Sequence, residues 1–285
     1  MENDLIVYFN GKFVKKQQVC ISPDDRGFLM ADGLYDVMRF FNKKIFYLNQ
    51  HLQRIEHSLK ELRIHTDIIL KLESVANTLL AENGFQPGDN ILLYVQVTRG
   101  AYNRTHSFPP ASVKPTEYIS VYKAHPDYKG MENGVKVITT DDIRWGRCDI
   151  KTIALTANIL AKQQAVENNA YDAVFLKNGI VTEGSHTGVF GVKDNQVITH
   201  PRTSQILPSI TRGVVNDLCR NLDIEIVEKQ LYRKHLQELD EMFLVGTITE
   251  IMPVTKVDDM LIGKGSPGAV TKKIQQAFRK LVQNY

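Results

Sequence analysis

A two-domain chain mixing strand and helix (α+β, within the broad α/β class) is predicted by three observations. The 285 residues exceed the ~100–200 of a typical single domain. The first ~50 residues alternate at the strand period around a hairpin signal. From Leu48 onward, segments at helical spacing interleave with short apolar runs.

Taken in order, Val7-Tyr8-Phe9 and Phe13-Val14 flank Asn10-Gly11, a dipeptide that tolerates the positive φ of a tight hairpin turn. A second pair of strands is predicted over Leu34–Phe41 and Lys44–Tyr47, with Asn42 near the turn. Leu48, Leu52, Ile55, Leu59 and Leu62 then recur at helical spacing. Asp67 reads as the N-cap of a second helix carrying Ile68, Leu72, Val75 and Leu79, which Gly84 ends. Strands at Ile91–Thr98 and Tyr118–Tyr122 complete a small α+β domain over residues 1–124 with an antiparallel sheet. The polar stretch 125–134 holds Pro126, Gly130 and Gly134 and reads as an interdomain linker. A larger domain over 135–285 follows. It opens with a strand at Val135–Thr139, a helix over about Ile153–Asn168 and strands around Ala173–Leu176 and Val189–Val192. A helix after Ser209, strands at Ile224–Val227 and Phe243–Val245, and a helix after Pro267 close it. Such a mixture packs as α/β layers or as a barrel-like sheet.

Composition narrows the function classes. Apolar residues make up 43% and charged residues 24%, the balance of a chain with packed cores. The formal charge of +3 is small and spread out, which argues against nucleic acid or a membrane surface as partner. The start, Met1-Glu2-Asn3-Asp4, lacks the basic and apolar regions of an export signal, and no apolar run reaches the ~18 residues of a membrane span. Cys20, Cys148 and Cys219 are odd in number, far apart and without CxxC spacing. They read as reduced thiols, with neither a disulfide framework nor a zinc site. A soluble cytoplasmic protein without bound metal is expected.

Four stretches hold residues suited to chemistry. Asp141 to Leu155 gathers Arg144, Trp145, Arg147 and Lys151 ahead of a predicted helix, and local context alone reads it as a capping surface loop. Asn178 to Phe190 puts Glu183 at a strand end beside Ser185, His186 and Thr187, which a solvated turn would also do. In Leu207-Pro-Ser-Ile-Thr-Arg-Gly213, Ser209 is a fair N-cap, so the amides of Ile210 and Thr211 point out of a helix N-terminus toward any anion. Val245 to Val254 is a hydroxyl-bearing connection between strands that includes Thr247. Gly263-Lys-Gly-Ser-Pro-Gly268 matches GxGxxG, but no acidic residue lies ~20 positions further on, so it reads as a turn into the last helix.

Together and in order, these stretches resemble the fold type IV pyridoxal-phosphate enzymes, and most of all the D-amino acid aminotransferase branch. The matching segments are Ala31-Asp-Gly-Leu-Tyr-Asp-Val37, His51-Leu-Gln-Arg54, Gln96-Val-Thr-Arg-Gly100, Arg104-Thr-His106 and Asp142-Ile-Arg-Trp145. They continue with Arg147-Cys-Asp-Ile-Lys151, Val181-Thr-Glu-Gly-Ser185, Ile210-Thr-Arg212 and Gly246-Thr247. The resemblance implies pyridoxal 5'-phosphate as cofactor, held as a Schiff base by Lys151, whose amine also moves the substrate α-proton. It implies that Glu183 faces the pyridine nitrogen and that Arg54, Ile210, Thr211 and Thr247 cup the phosphate. It also counts Ser185 and Arg144 among the cofactor-binding residues. Tyr35, Arg104 and His106 match the trio that traps the substrate α-carboxylate, the last two on a loop from a partner subunit, so a homodimer is implied.

The implied reaction moves an amino group between a D-amino acid, such as D-alanine or D-glutamate, and 2-oxoglutarate or pyruvate. Departures from the family pattern are Gly188 for asparagine, His186 for serine, Asp36 for glutamate, and Thr-Ile-Ala-Leu after Lys151. They bear on substrate breadth more than on reaction type. The rival readings are a branched-chain L-amino acid aminotransferase and an aminodeoxychorismate lyase; the Arg104-Thr-His106 segment counts against the first. A non-catalytic binding protein on this fold would have lost Lys151 or Glu183, and both are present.

Overall fold

A computed structural model describes residues 4–86 and 88–285. The chain divides into two compact units. One is Met1–His125 with Ile150–Ala154 and Tyr285; the other is Pro126–Asp149 with Leu155–Asn284. Among the described residues, no helix is long and apolar enough to cross a membrane.

The first unit begins with β1 (Ile6–Phe9) and β2 (Lys12–Lys15), paired antiparallel around Asn10 at φ 47° and Gly11 at φ 88°. Positive φ at both turn residues matches the right-handed twist of the flanking strands. A short helix, α1 (Arg26–Met30), leads into β3 (Gly33–Phe41), β4 (Lys44–Ile45) and the helices α2 (Leu48–Leu62) and α3 (Ile68–Glu82). The strands β5 (Ile91–Thr98) and β6 (Thr116–Lys123) complete an antiparallel sheet of order β2-β1-β6-β5-β3-β4. Leu34 and Met38 of β3 and Leu93 and Val95 of β5 pack with Ile55, Leu59, Leu72 and Leu79 of the helices. Each such buried side chain contributes about 1.5–3 kcal/mol of transfer free energy. The start of α3 differs from its expected form. Thr66 Oγ1, not Asp67, accepts from the Ile68 amide (3.1 Å), and Asp67 pairs instead with Lys71 one turn on (2.6 Å).

The second unit opens on α4 (Tyr128–Asn133), in the stretch that reads as a linker. Met131 is buried, and Gln275 Nε2 donates to the Met131 and Ile251 carbonyls (2.8 and 2.9 Å), so these residues belong to a packed layer. Then come β7 (Val135–Asp141), α5 (Thr156–Glu167), β8 (Asp172–Lys177), β9 (Ile180–Gly184), β10 (Gly188–Lys193) and β11 (Gln196–Thr199). The chain continues through α6 (Ile210–Asn221), β12 (Ile226–Glu228), β13 (Leu231–Tyr232), β14 (Glu241–Gly246), β15 (Glu250–Val257), β16 (Met260–Leu261) and α7 (Ala269–Gln283). They form one curled mixed sheet of order β12-β11-β10-β14-β15-β7-β8-β9-β13, with β16 on β15. Among the described residues, its parallel pairs are β11–β12, β15–β7 and β7–β8. The fold class is thus the mixed two-sheet arrangement the sequence predicts.

The predicted Ile153 helix starts three residues late, at Thr156. The reason is tertiary. Residues 151–153 run along the N-terminal half of β3, with Tyr35 N donating to Lys151 O (3.0 Å) and Ile153 N to Gly33 O (3.1 Å). That pairing satisfies an otherwise open strand edge, and it places Lys151 with the first unit rather than with residues 135–285.

Candidate active site

In the first unit, Lys151 is fixed by its backbone. Besides the bond from Tyr35, its own amide donates to Ser58 Oγ on α2 (3.2 Å). Its Nζ lies 4.4 Å from the centre of the Tyr35 ring and has no hydrogen-bond or ion-pair partner among the described residues. The aromatic face supports a cation without neutralising or blocking it.

On the other face of β3, Asp36 is fully buried under α2. Its carboxylate accepts from Arg54 Nε (2.9 Å) and Nη2 (2.9 Å) and meets His51 Nδ1 at 2.8 Å. Burial by itself would raise the Asp36 pKa, but Arg54 and His51 outweigh it and hold the carboxyl far below the usual carboxylate range. Burial pushes His51 down, and Arg54 and Lys151 add to that against the pull of Asp36. The cluster fixes the plane of the Arg54 guanidinium. The sequence marks Asp36 and His51 only as positions in family-like segments; their pairing with Arg54 joins β3 to α2 and carries no local signal beyond the i,i+3 spacing of His51 and Arg54 on one helix face.

Arg104 and His106 sit exposed on the β5–β6 loop, and no hydrogen bond or ion pair joins either to Tyr35 among the described residues. The loop itself is anchored. Arg26 Nη1 donates to the carbonyls of Thr105 (2.7 Å) and Ser107 (3.3 Å), and Arg99 stacks on Phe108 at 3.8 Å.

In the second unit, Glu183 is the penultimate residue of β9 and is buried. Leu207 N donates to both its oxygens (3.2 and 3.0 Å), and Arg144 Nη1 pairs with Oε1 at 2.5 Å. Arg144 is held in turn by Asp142, which accepts from its Nε and Nη2 at 2.9 and 2.8 Å. Burial opposes both charges, yet the pairing keeps Asp142 low and Arg144 high. Arg144 thus bridges the Asp142 and Glu183 carboxylates.

Ser185 is a turn-former in the structure. Its hydroxyl donates to buried Asp172 (2.5 Å), which also accepts from Thr187 Oγ1 (2.7 Å), while His186 Nδ1 contacts the Ser185 hydroxyl at 3.0 Å. Burial would raise the Asp172 pKa, but His186, Ser185 and Thr187 hold it low. Asp172 reads in sequence only as the residue before a strand.

At α6, Ser209 Oγ accepts from Arg212 N (3.2 Å), as its N-cap role requires, which leaves Ile210 and Thr211 as the first amides of the helix. Thr247 lies half-buried in the turn between β14 and β15. Burial pushes the Cys148 and Cys219 thiols up to about 11, so neither is a thiolate nucleophile near neutral pH.

A cofactor carrying an aldehyde, a pyridine nitrogen and a phosphate makes three demands. The chain offers an unpaired amine at Lys151, a buried carboxylate at Glu183, and dianion donors in an orientated arginine and a capped helix N-terminus. The donor set fits such a group.

Comparison with known proteins agrees. The family model for class IV amino-transferases matches residues 33–257. The D-alanine aminotransferase of Staphylococcus epidermidis is 36% identical over 280 residues, 98% of both chains. That of Bacillus licheniformis is 36% identical over 277 residues, 97% of this chain and 96% of the relative. Among solved structures, the branched-chain amino acid aminotransferase of Escherichia coli superposes with a TM-score of 0.90 at 26% identity, covering 98% of this chain and 95% of its own. With the family model matched over most of the chain and full-length relatives above 30% identity, the chain belongs to the class IV aminotransferases.

Proposed function

We propose that this aminotransferase moves amino groups between D-amino acids, with D-alanine or D-glutamate as donor, and 2-oxoglutarate or pyruvate, using pyridoxal 5'-phosphate in a cytoplasmic homodimer. The observation that carries this reading is the Lys151 amine, its backbone pinned and its Nζ resting on Tyr35 with no acid paired to it among the described residues. Full-length relatives from Staphylococcus epidermidis and Bacillus licheniformis are D-alanine aminotransferases, which supports the D-specific form.

The bound cofactor supplies an electron sink for the carbanion left when the substrate loses its α-proton. Lys151 Nζ would hold the cofactor and, once the substrate amine has displaced it and left it a free amine, would take that proton from the substrate α-carbon. Glu183, kept in place by Arg144 and Leu207 N, holds a proton on the pyridine nitrogen. Arg54, orientated by Asp36, grips the phosphate together with the amides of Ile210 and Thr211 and the Thr247 side chain. Ser185 holds the turn after Glu183 through Asp172. Tyr35, Arg104 and His106 offer a phenol, a guanidinium fork and an imidazole to the substrate carboxylate, the loop of one subunit serving its partner.

The fold likeness to a branched-chain aminotransferase supports one second reading, an L-specific enzyme. Pyruvate formation from D-alanine and 2-oxoglutarate separates the two. Turnover of D-alanine with none of L-leucine is expected; turnover of L-leucine alone would overturn the D-specific reading.

A further inference from the structure

Several buried charged residues of the first unit have no task in the proposed chemistry, and they gather around the β5–β6 loop. Residues 24–26 run antiparallel to 100–102, at the start of that loop. Arg26 N donates to Gly100 O (3.0 Å), Tyr102 N donates to Asp24 O (3.1 Å), and Asp25 pairs with Ala101. The buried Asp25 carboxylate accepts from Thr98 Oγ1 (3.0 Å) and Thr116 Oγ1 (2.6 Å), the paired residues where β5 ends and β6 begins. Gly100 has φ 90°, and a Cβ there would overlap the Lys114 carbonyl oxygen. The mouth of the loop is closed.

Further out, two buried arginines share one carboxylate. Arg26 Nε donates to Asp32 Oδ2 (2.8 Å), and its Nη1 donates to the carbonyls of Thr105 (2.7 Å) and Ser107 (3.3 Å), one on each side of His106. Arg99 forks onto Asp32 through Nε (2.8 Å) and Nη2 (2.9 Å). It also donates to the Leu62 and Arg63 carbonyls at the end of α2 (2.7 and 3.1 Å) and lies on Phe108 at 3.8 Å. Burial would raise the Asp32 pKa, but Arg99 and Arg26 outweigh it and hold the carboxyl below its usual range. The shared counter-charge is therefore in place at neutral pH.

We propose that Arg26, backed by Asp32 and Arg99, is a positioning residue for the substrate-carboxylate trap, presetting the backbone from which Arg104 and His106 project. Those two side chains are exposed and have no hydrogen-bond or ion-pair partner among the described residues, so nothing at their own tips orders them. The guanidinium ties at Thr105 and Ser107 order the main chain beneath them instead. A loop already held in its binding conformation loses less freedom when substrate arrives, and the difference appears as substrate affinity. The consequence for substrate rests on the proposed function; the tie between Arg26 and the loop does not.

Hydrogen exchange and steady-state kinetics on the Arg26→Gln holoenzyme, beside the loop variant Arg104→Ala/His106→Ala, test the role. Amide exchange over residues 103–108 should quicken about tenfold in Arg26→Gln, the loss of one net hydrogen bond. KM for D-alanine and for 2-oxoglutarate should rise by about tenfold for the same reason, with kcat changed less than about twofold and the visible cofactor band unmoved. Added to the loop variant, Arg26→Gln should raise KM no further, since nothing is left to position. An unchanged KM in Arg26→Gln, while the loop variant raises it, would overturn the positioning role and leave the trap standing. Unchanged exchange, or an equal rise in KM with and without the loop side chains, would overturn it as well. A loop variant with unchanged KM would overturn the trap itself, and the role of Arg26 with it. Should Arg26→Gln not fold, Arg26→Lys keeps a charge beside Asp32 but lacks the fork that also reaches both carbonyls, and the same results are expected of it.

Discussion

Asp36 decides more at the residue scale than its place in the sequence, an aspartate where the family pattern has glutamate, suggests. It is fully buried, it orientates Arg54 through two hydrogen bonds, and it stays ionised only because Arg54 and His51 outweigh its burial. Asp36→Asn leaves the Arg54 guanidinium buried without its counter-charge, an expected loss of about 3–5 kcal/mol in urea unfolding at neutral pH. The sign of the pH dependence follows from the depressed native pKa. The stability contributed by Asp36 is complete above the unfolded-state value of ~4 and drains away as pH falls below it toward the native value. The parent should therefore lose more stability than Asp36→Asn between neutral and acidic pH, and parallel acid limbs in the two proteins would contradict this. The sequence shows Arg54, an arginine at a helical spacing, but not its carboxylate partner, because the pairing joins β3 to α2 and no local pattern encodes it.

At the element scale, the turn that follows Glu183 has narrow tolerances. A Cβ on Gly184 would overlap Thr187 Oγ1 and lie 2.6 Å from Asp172 Oδ2, in the turn that follows Glu183. Gly184→Ala is expected to cost about 1–3 kcal/mol through forced displacement of that turn, read as a lowered thermal midpoint. A midpoint unchanged from the parent would show that the turn yields freely. Much at this scale is legible from sequence: the Asn10-Gly11 hairpin, the apolar face of α2, and the Ser209 cap of α6 are all local signals. What is not legible is set by distant partners. Residues 151–153 are claimed by the edge of β3, which delays α5 to Thr156, and 128–133 form a helix because Gln275 and the sheet receive it. Those segments carry ordinary loop composition, so only the tertiary structure assigns them.

At the scale of the whole molecule, the exposed Arg104 and His106 acquire a purpose only if the loop serves a partner subunit, as the proposed homodimer requires. Arg104→Ala is expected to raise KM for D-alanine strongly while the cofactor spectrum is unchanged. Mixing inactive Lys151→Ala with Arg104→Ala should restore roughly a quarter of the parental sites, since half the dimers are hybrids with one intact site each. No recovery on mixing would place Arg104 in the same subunit as the Lys151 it serves. Central to all of this is the amine of Lys151 on its strand edge over Tyr35. The most direct measurement is borohydride reduction of the holoenzyme followed by peptide mapping, with and without prior incubation with D-alanine. Lys151 as the cofactor-bearing amine predicts the added cofactor mass on the peptide containing Lys151, and its disappearance when D-alanine comes first. Cofactor mass on any other lysine, or none on any peptide, would contradict it.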